Sequence, residues 1–383
     1  MWTTDKKAVV AGHICLDITP LFPDKKISRP EEILSPGGLV HMEGVDVHTG
    51  GAVANTGLAM KLLGVDVKLM GKIGTDEFGK LILQVLEKYG YDAREDMIQS
   101  DQTGTSYSVV LAIPGIDRMF LHSIGANNTF CFDDLDFSAI SEASLFHLGY
   151  PPLMKRLYEQ DGEELVRIFK KVKELGVATS LDMAAVDPSS EEAKTDWKKI
   201  LKRVLPYVDF FVPSIEELCF MMDKDRYWEW NGRSGGEDVT EYLDVESDIR
   251  PLADELFEMG AKVVMLKCGA PGLYYRSAGK EILAGIGEKA EINTEVWADK
   301  EGFERSYKPE RVLSGTGAGD TSIAAFLTAM LQGKAPESCI QLAAATGASC
   351  VEGYDALSGL KPFEELQRKI DAGWEKQLIQ KNK

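Results

Sequence analysis

The 383-residue sequence is short of positive charge: 43 Lys and Arg stand against 61 Asp and Glu, for a formal net charge of −18. A nucleic-acid-binding chain needs a dense cationic stripe, and none is present, which excludes that partner class. The acidic balance also argues against an anionic membrane surface. No uninterrupted apolar run is long enough to span a bilayer. The first apolar segment, Ala8 to Ala11, is too short for a secretory h-region and fits a first strand instead. The six cysteines, Cys15, Cys131, Cys219, Cys268, Cys339 and Cys350, form no Cys-x-x-Cys pair and have no nearby His at zinc spacing. They read as free thiols of a cytoplasmic protein. A Walker A loop is missing too, and no Gly-x-Gly-x-x-Gly is completed at Gly315 and Gly317, where Asp320 holds the third glycine position.

What is present is ordinary for a globular chain with a sizeable core: 44% hydrophobic and 27% charged residues. Residues 1–383 are read as one domain, since α/β domains often run long. Strand-like and helix-like segments alternate. Val9–Ile18 reads as a strand, Ala52–Leu63 as a helix, Val67–Ile73 as a strand and Leu81–Tyr89 as a helix. Helix Glu163–Leu175 and strand Val177–Met183 follow, then strand Val208–Val212 and helix Ile215–Met222. A helix ending over Asp254–Met259 leads into strand Lys262–Lys267. Such alternation predicts a mostly parallel sheet covered by helices on both faces.

Two stretches break the rhythm. Residues 18–49 carry Pro, Gly and charges, and alternate like a strand from Leu39 to His48. Residues 103–125 predict a hairpin, Thr105–Ile113 and Arg118–Ile124 around a Pro114-Gly115-Ile116-Asp117 turn. Together they predict a small β-sheet outside the main one, with edge strands of the main sheet as the alternative. Residues 226–250 look like a surface insertion, and the residues after Trp374 like a helix tail.

Five places carry candidate chemistry. A strand-like Glu310–Leu313 leads into Ser314-Gly315-Thr316-Gly317-Ala318-Gly319-Asp320-Thr321, and a helix follows with Ile323, Phe326, Leu327, Met330 and Leu331 on one face. A helix start exposes unpaired N–H groups and the positive end of the dipole, and glycines let an anion approach them. A tight turn with Asp320 as a helix cap accounts for the same residues. Gly50-Gly51 and Asn55 form a second helix entry suited to a polyhydroxy ligand. Asp17 falls near the end of the first strand, the edge where open α/β sheets bind ligands. Ser214 and Glu217 have capping-box spacing, and Lys267-Cys268-Gly269-Ala270-Pro271-Gly272 forms a turn at another strand end.

These motifs, in this order, resemble the ribokinase-like (PfkB) carbohydrate kinase family from about residue 8 to about residue 365. Thr316-Gly317-Ala318-Gly319-Asp320-Thr321 matches the core of its C-terminal signature. Gly50-Gly51 with Asn55, and then Gly71 to Gly79, match its N-terminal one. The resemblance implies a ribokinase-like three-layer α/β/α domain with a small β-sheet lid, ATP as phosphate donor and Mg²⁺ as helper. It implies Asp320 as the base and the amides of Gly317, Ala318 and Gly319 as the anion hole. Asp17, Gly50, Gly51 and Asn55 would hold the sugar. Ser214, Lys267, Gly269, Gly272 and Thr316 would contact the nucleotide, and Glu217 the metal. Two departures stand out. Ser314-Gly315 replaces the family's Asp-Thr, which argues against potassium activation, and Ser214 replaces an Asn.

The expected activity is ATP-dependent phosphorylation of a hydroxyl on a sugar or sugar-like molecule. A nucleoside is the alternative acceptor, with Tyr107, Phe120 and Tyr150 available to stack on a base. A phosphorylated acceptor is disfavoured by the few lid cations, Lys25, Lys26, Arg29 and Arg118, with His41 and His48 beside them. Two other classes compete: a sugar-binding regulator that has lost catalysis, and a nicotinamide dehydrogenase. By the same resemblance, an exposed lid suggests a homodimer.

Overall fold

The computed structural model describes residues 3–23, 29–114 and 119–378. Its main sheet has nine strands in the order β13-β12-β11-β10-β9-β8-β1-β4-β5. They are β1 (Lys7–Gly12), β4 (Asp66–Gly74), β5 (Ile98–Ser100), β8 (Leu145–Gly149), β9 (Ala178–Asp182), β10 (Phe210–Phe211), β11 (Val263–Lys267), β12 (Gly272–Ser277) and β13 (Glu301–Arg305). All neighbours run parallel except β11–β12 and β12–β13. Strands β8, β9 and β11 are buried along their whole length, as a sheet covered on both faces requires.

Side-chain alternation sorts β1 into two cores. Ala8 and Val10 join helices Ala52–Leu62, Glu77–Lys88, Ala318–Leu331 and Pro336–Cys350 on one face. Val9 and Ala11 join Lys155–Glu174, Trp197–Val204, Ile215–Met222 and Arg250–Glu258 on the other. Three layers result. Residues 226–250 supply Trp230, Val239 and Ile249 to the second core while most of their charged groups face outward. No helix among the described residues is long and apolar enough to cross a membrane.

A separate four-stranded sheet runs β3-β2-β6-β7. It consists of β2 (Cys15–Leu21), β3 (Gly44–Gly50), β6 (Tyr107–Leu111) and β7 (Met119–Ser123). The two irregular stretches of sequence therefore form one lid, and not edge strands of the main sheet. The hairpin turn at 115–117 lies outside the described residues, as do Lys25, Lys26 and Arg118.

Several boundaries differ from the sequence reading. Val9–Ile18 is two strands in two sheets, because the chain leaves the main sheet after Gly12 and crosses to the lid at His13-Ile14. The lid strand expected from Leu39 begins at Gly44. Glu310–Leu313 is not a strand, since no ladder partner faces it and the Leu313 amide bonds the Val351 carbonyl at 2.8 Å. The tail beyond Trp374 is irregular as far as Leu378, pairing by one bridge from Lys376 to Tyr307.

His147, at the centre of β8, donates to or accepts from Ser180 Oγ at 2.9 Å. Burial, with the nearby Lys267 charge, lowers its pKa from 6.5 to about 3. The imidazole is therefore neutral in the native state and protonates below 6.5 once unfolded. Its contribution to stability is complete above 6.5 and is lost as pH falls towards 3. A His147→Gln variant should lose less stability than wild type between pH 6.5 and 4.5, by about 1.4 kcal/mol per pH unit. Urea unfolding at both pH values measures this, and equal losses would refute it.

Candidate active site

The carboxyl ends of the parallel strands meet along one edge, the usual binding edge of such sheets. Across it stand Lys267 at the end of β11, Asp182 at the end of β9, Tyr150 just after β8 and His13 just after β1. Helix Ala318–Leu331 starts over this row with Asp320 in its first turn.

Asp320 is buried. Its Oδ2 accepts from Asn55 Nδ2 at 2.9 Å, and its Oδ1 from the Tyr150 hydroxyl at 2.7 Å and from Thr56 Oγ1 at 3.4 Å. The two glycine-rich helix entries thus converge on one carboxylate. Gly317 caps the helix with φ 74°, and a Cβ there would overlap Ala356. Only glycine fits that turn. The amides of Gly317 and Gly319 flank that of Ala318, which makes a 3.3 Å bond to the Gly315 carbonyl.

Lys267 lies under this turn: a Cβ on Gly319 would be 3.3 Å from its Cδ and Cε. Its ammonium donates to Asp182 Oδ1 at 2.6 Å and to the Val212 carbonyl at 2.8 Å. Burial pushes the Asp182 carboxyl up to about 8, against the pull of Lys267 and with help from the Glu217 and Asp320 charges. Glu217 also closes the helix cap, its Oε2 accepting from the Ser214 amide at 3.2 Å. Ser214 bridges Lys267 in the sheet, so capping box and lysine are neighbours. Gly269 has φ 59° and packs against Thr240, and Gly272 begins β12.

On the lid side, Asp17 is mostly buried, which raises its pKa against bonds from Cys15 and Ser108. A Cβ on Gly50 would overlap its carboxylate, so glycine is what allows β3 to pass. Gly51 caps helix Ala52–Leu62 against His13. A cavity of about 580 Å³ separates lid from main sheet, lined among others by Asp17, Asn55, Thr316, Tyr89 and Tyr354. Its wall is acidic, with Glu43, Asp46 and Asp355 besides Asp17. Among the described residues its one basic lining group is His48, held by Asp46 at 2.6 Å.

The structure thus gathers Asp320, Asn55, Gly317–Gly319 and Lys267 tightly, with Glu217 in range of the same charges. Asp17 lies on the cavity's lid wall, and Gly50 packs against its carboxylate. Three participants escaped the sequence reading: Asp182, His13 and the part played by Tyr150. Each stands at a strand end, which was their only signal. Tyr150 was read as a stacking group, but its hydroxyl is committed to Asp320. Tyr107 packs edge-on to Phe78 instead, and Phe120 does line the cavity. Burial, with the nearby His122, lowers the His13 pKa to about 3, and both its ring nitrogens lack a hydrogen-bond partner among the described residues.

Metal-holding groups are few. No cluster of three His, Cys, Asp or Glu side chains at metal distance occurs among the described residues. Yet the Glu217 and Asp320 charges both bear on Asp182 and help raise its pKa. A hard divalent cation arriving on phosphate oxygens and needing only one or two carboxylates fits that donor set.

The family model described as "pfkB family carbohydrate kinase" matches residues 6–361. An uncharacterized sugar kinase of Archaeoglobus fulgidus is 24% identical over 292 residues, 76% of this chain and 93% of its own. Arabidopsis thaliana ribokinase complexed with ribose and ATP superposes with TM-score 0.66 at 20% identity, covering 95% of this chain and 98% of its own. A putative ribokinase II from E. coli, in complex with ATP and Mg²⁺, gives 0.67 at 20% identity, covering 96% and 99%.

Proposed function

The chain belongs to the pfkB family of carbohydrate kinases, and from that premise we propose that it moves the γ-phosphoryl group of ATP onto a hydroxyl of an uncharged sugar or polyol. The observation that carries this reading is the Asp320 carboxylate. It sits in the first turn of a glycine-capped helix and shares Asn55 with the lid cavity.

The acceptor lies in the cavity, with Asp17 and Asn55 taking its hydroxyls. Asp320 takes the proton as the acceptor oxygen bonds phosphorus and the bond to ADP breaks. The helix-start amides of Gly317 and Gly319 face the charge on the transferring group. Lys267 lies beneath them and adds a cation. Glu217 and Asp182 are the groups that would hold Mg²⁺, which would neutralise phosphate charge when bound. The lid excludes water and so limits wasteful ATP hydrolysis.

The acidic cavity wall disfavours an acceptor that is itself an anion. An ADP-release assay over sugars, polyols, nucleosides, sugar acids and sugar phosphates tests the reading. The expected result is ADP release with an uncharged compound, and kcat/KM at least about 10-fold lower for its acid or phosphate. A preference for the anions would refute the acceptor class, and silence across the panel would refute the kinase reading. Nucleosides belong in the panel because Phe22, Tyr89, Phe120 and Tyr354 line the cavity.

A further inference from the structure

We infer that Tyr150 is a positioning residue for phosphoryl transfer: it fixes the Asp320 carboxylate by Oδ1, so that Oδ2 takes the acceptor's proton. The inference rests on the kinase reading above. The Tyr150 bond to Oδ1, at 2.7 Å, is the shortest that the carboxylate makes, and Thr56 loads the same oxygen at 3.4 Å. Oδ2 accepts from Asn55 at 2.9 Å. A carboxylate oxygen has two lone-pair sites, so Oδ2 keeps one for a proton. The two sides also differ in access. Asn55 lines the cavity and Tyr150 does not. When the acceptor oxygen bonds phosphorus, its proton passes to Oδ2, and the electrons of the broken phosphorus–oxygen bond stay on ADP.

The backbone supports a built role. Tyr150 holds φ 68° and ψ 42°, a left-handed conformation unfavourable for a bulky residue, with Pro151 directly after it. Such an outlier persists only where its surroundings over-determine it. Here the Tyr150 amide bonds the Asp182 carbonyl at 3.3 Å, and its ring lies 6.0 Å from that of His13. Burial beside Asp320 and Asp182 holds the phenol well above its ordinary pKa, so it stays a donor. A helical or extended residue at this position would aim its side chain elsewhere.

Tyr150→Phe tests this, since it keeps ring and backbone and removes the hydroxyl. At saturating ATP and acceptor, kcat should fall by about 10- to 100-fold, with each KM changed by less than about threefold. In an Asp320→Asn background the same change should cost less than about twofold, because Tyr150 acts through that carboxylate. Near-normal kcat in Tyr150→Phe, or an undiminished extra loss in the Asp320→Asn background, overturns the inference. If wild type releases no ADP with any acceptor, the kinase reading is what fails. The two substitutions then still form a urea-unfolding cycle: non-additive stabilities keep Tyr150 as the holder of Asp320, and additive ones reject it.

Discussion

The Asp320→Asn protein should bind ATP normally, unfold at nearly the wild-type temperature and turn over slower by on the order of 10³-fold. The substitution keeps the volume and planar shape of the side chain. It removes the one thing an amide cannot do here, which is accept a proton at neutral pH. Losing a negative charge from the first turn of helix Ala318–Leu331 costs stability, but only about 0.5 kcal/mol. The surrounding donors can readjust, since an amide still offers an oxygen to either Tyr150 or Asn55. The loss should therefore appear in kcat, with KM for ATP unchanged. Isothermal titration with ATP and steady-state ADP release separate the two. Wild-type-like turnover would mean that Asp320 only ties the two helix entries together through Asn55 and Thr56; the helix cap read from the sequence falls instead to Gly317, with no side-chain cap bond.

That ambiguity reflects what a sequence can display. The signature stretches are legible because they are local: Gly317 is demanded by a left-handed turn, and Gly50 by the passage of β3 over Asp17. Asp76 was legible as part of the N-terminal signature. The structure shows it tying strand to helix to lid, accepting from Gly79 N at 2.9 Å and Thr105 N at 2.8 Å. The alternation of strand-like and helix-like segments is local as well, and it predicted a sheet covered on both faces. What was not legible depends on distance in the chain. Tyr150 and Asp320 are 170 residues apart, and Lys267 and Asp182 are 85 apart. Only the closing of the sheet brings those pairs together. His13 was hidden for a different reason. Gly12 and His13 interrupt the apolar residues only briefly before Ile14-Cys15-Leu16, so Val9–Ile18 read as one strand and the crossing between sheets was missed.

The largest stability effect should come from Lys267→Met, and it should depend on pH. Among the described residues the ammonium is the one cation touching buried Asp182, at 2.6 Å, and it also satisfies the Val212 carbonyl. Removing one partner of a buried ion pair and leaving the other charged costs about 3–5 kcal/mol. Asp182 has an escape, because burial already lifts its carboxyl from 3.8 to about 8. A carboxyl raised in the native state binds its proton more tightly there than when unfolded. Its favourable contribution is complete below pH 3.8 and is lost as pH rises through about 8. Without Lys267 the native carboxyl is raised further, so the penalty should be small near pH 5, where the group is neutral and only an unmade hydrogen bond remains, about 1–3 kcal/mol. Wild type and variant lose stability in parallel up to about pH 8, so the penalty should grow only above that, towards pH 9, by about 1.4 kcal/mol per pH unit. Asp182→Asn placed on top should flatten that dependence and recover stability at high pH, since an amide has no charge to bury. Urea unfolding at pH 5 and pH 9 measures all three proteins, and a pH-independent loss in Lys267→Met would refute the argument. Turnover distinguishes the lysine's second role. If its stem under Gly319 also places a charge against phosphate, the double variant should be stable yet slow, by about 10²-fold in kcat. A double variant with full activity would confine Lys267 to balancing Asp182.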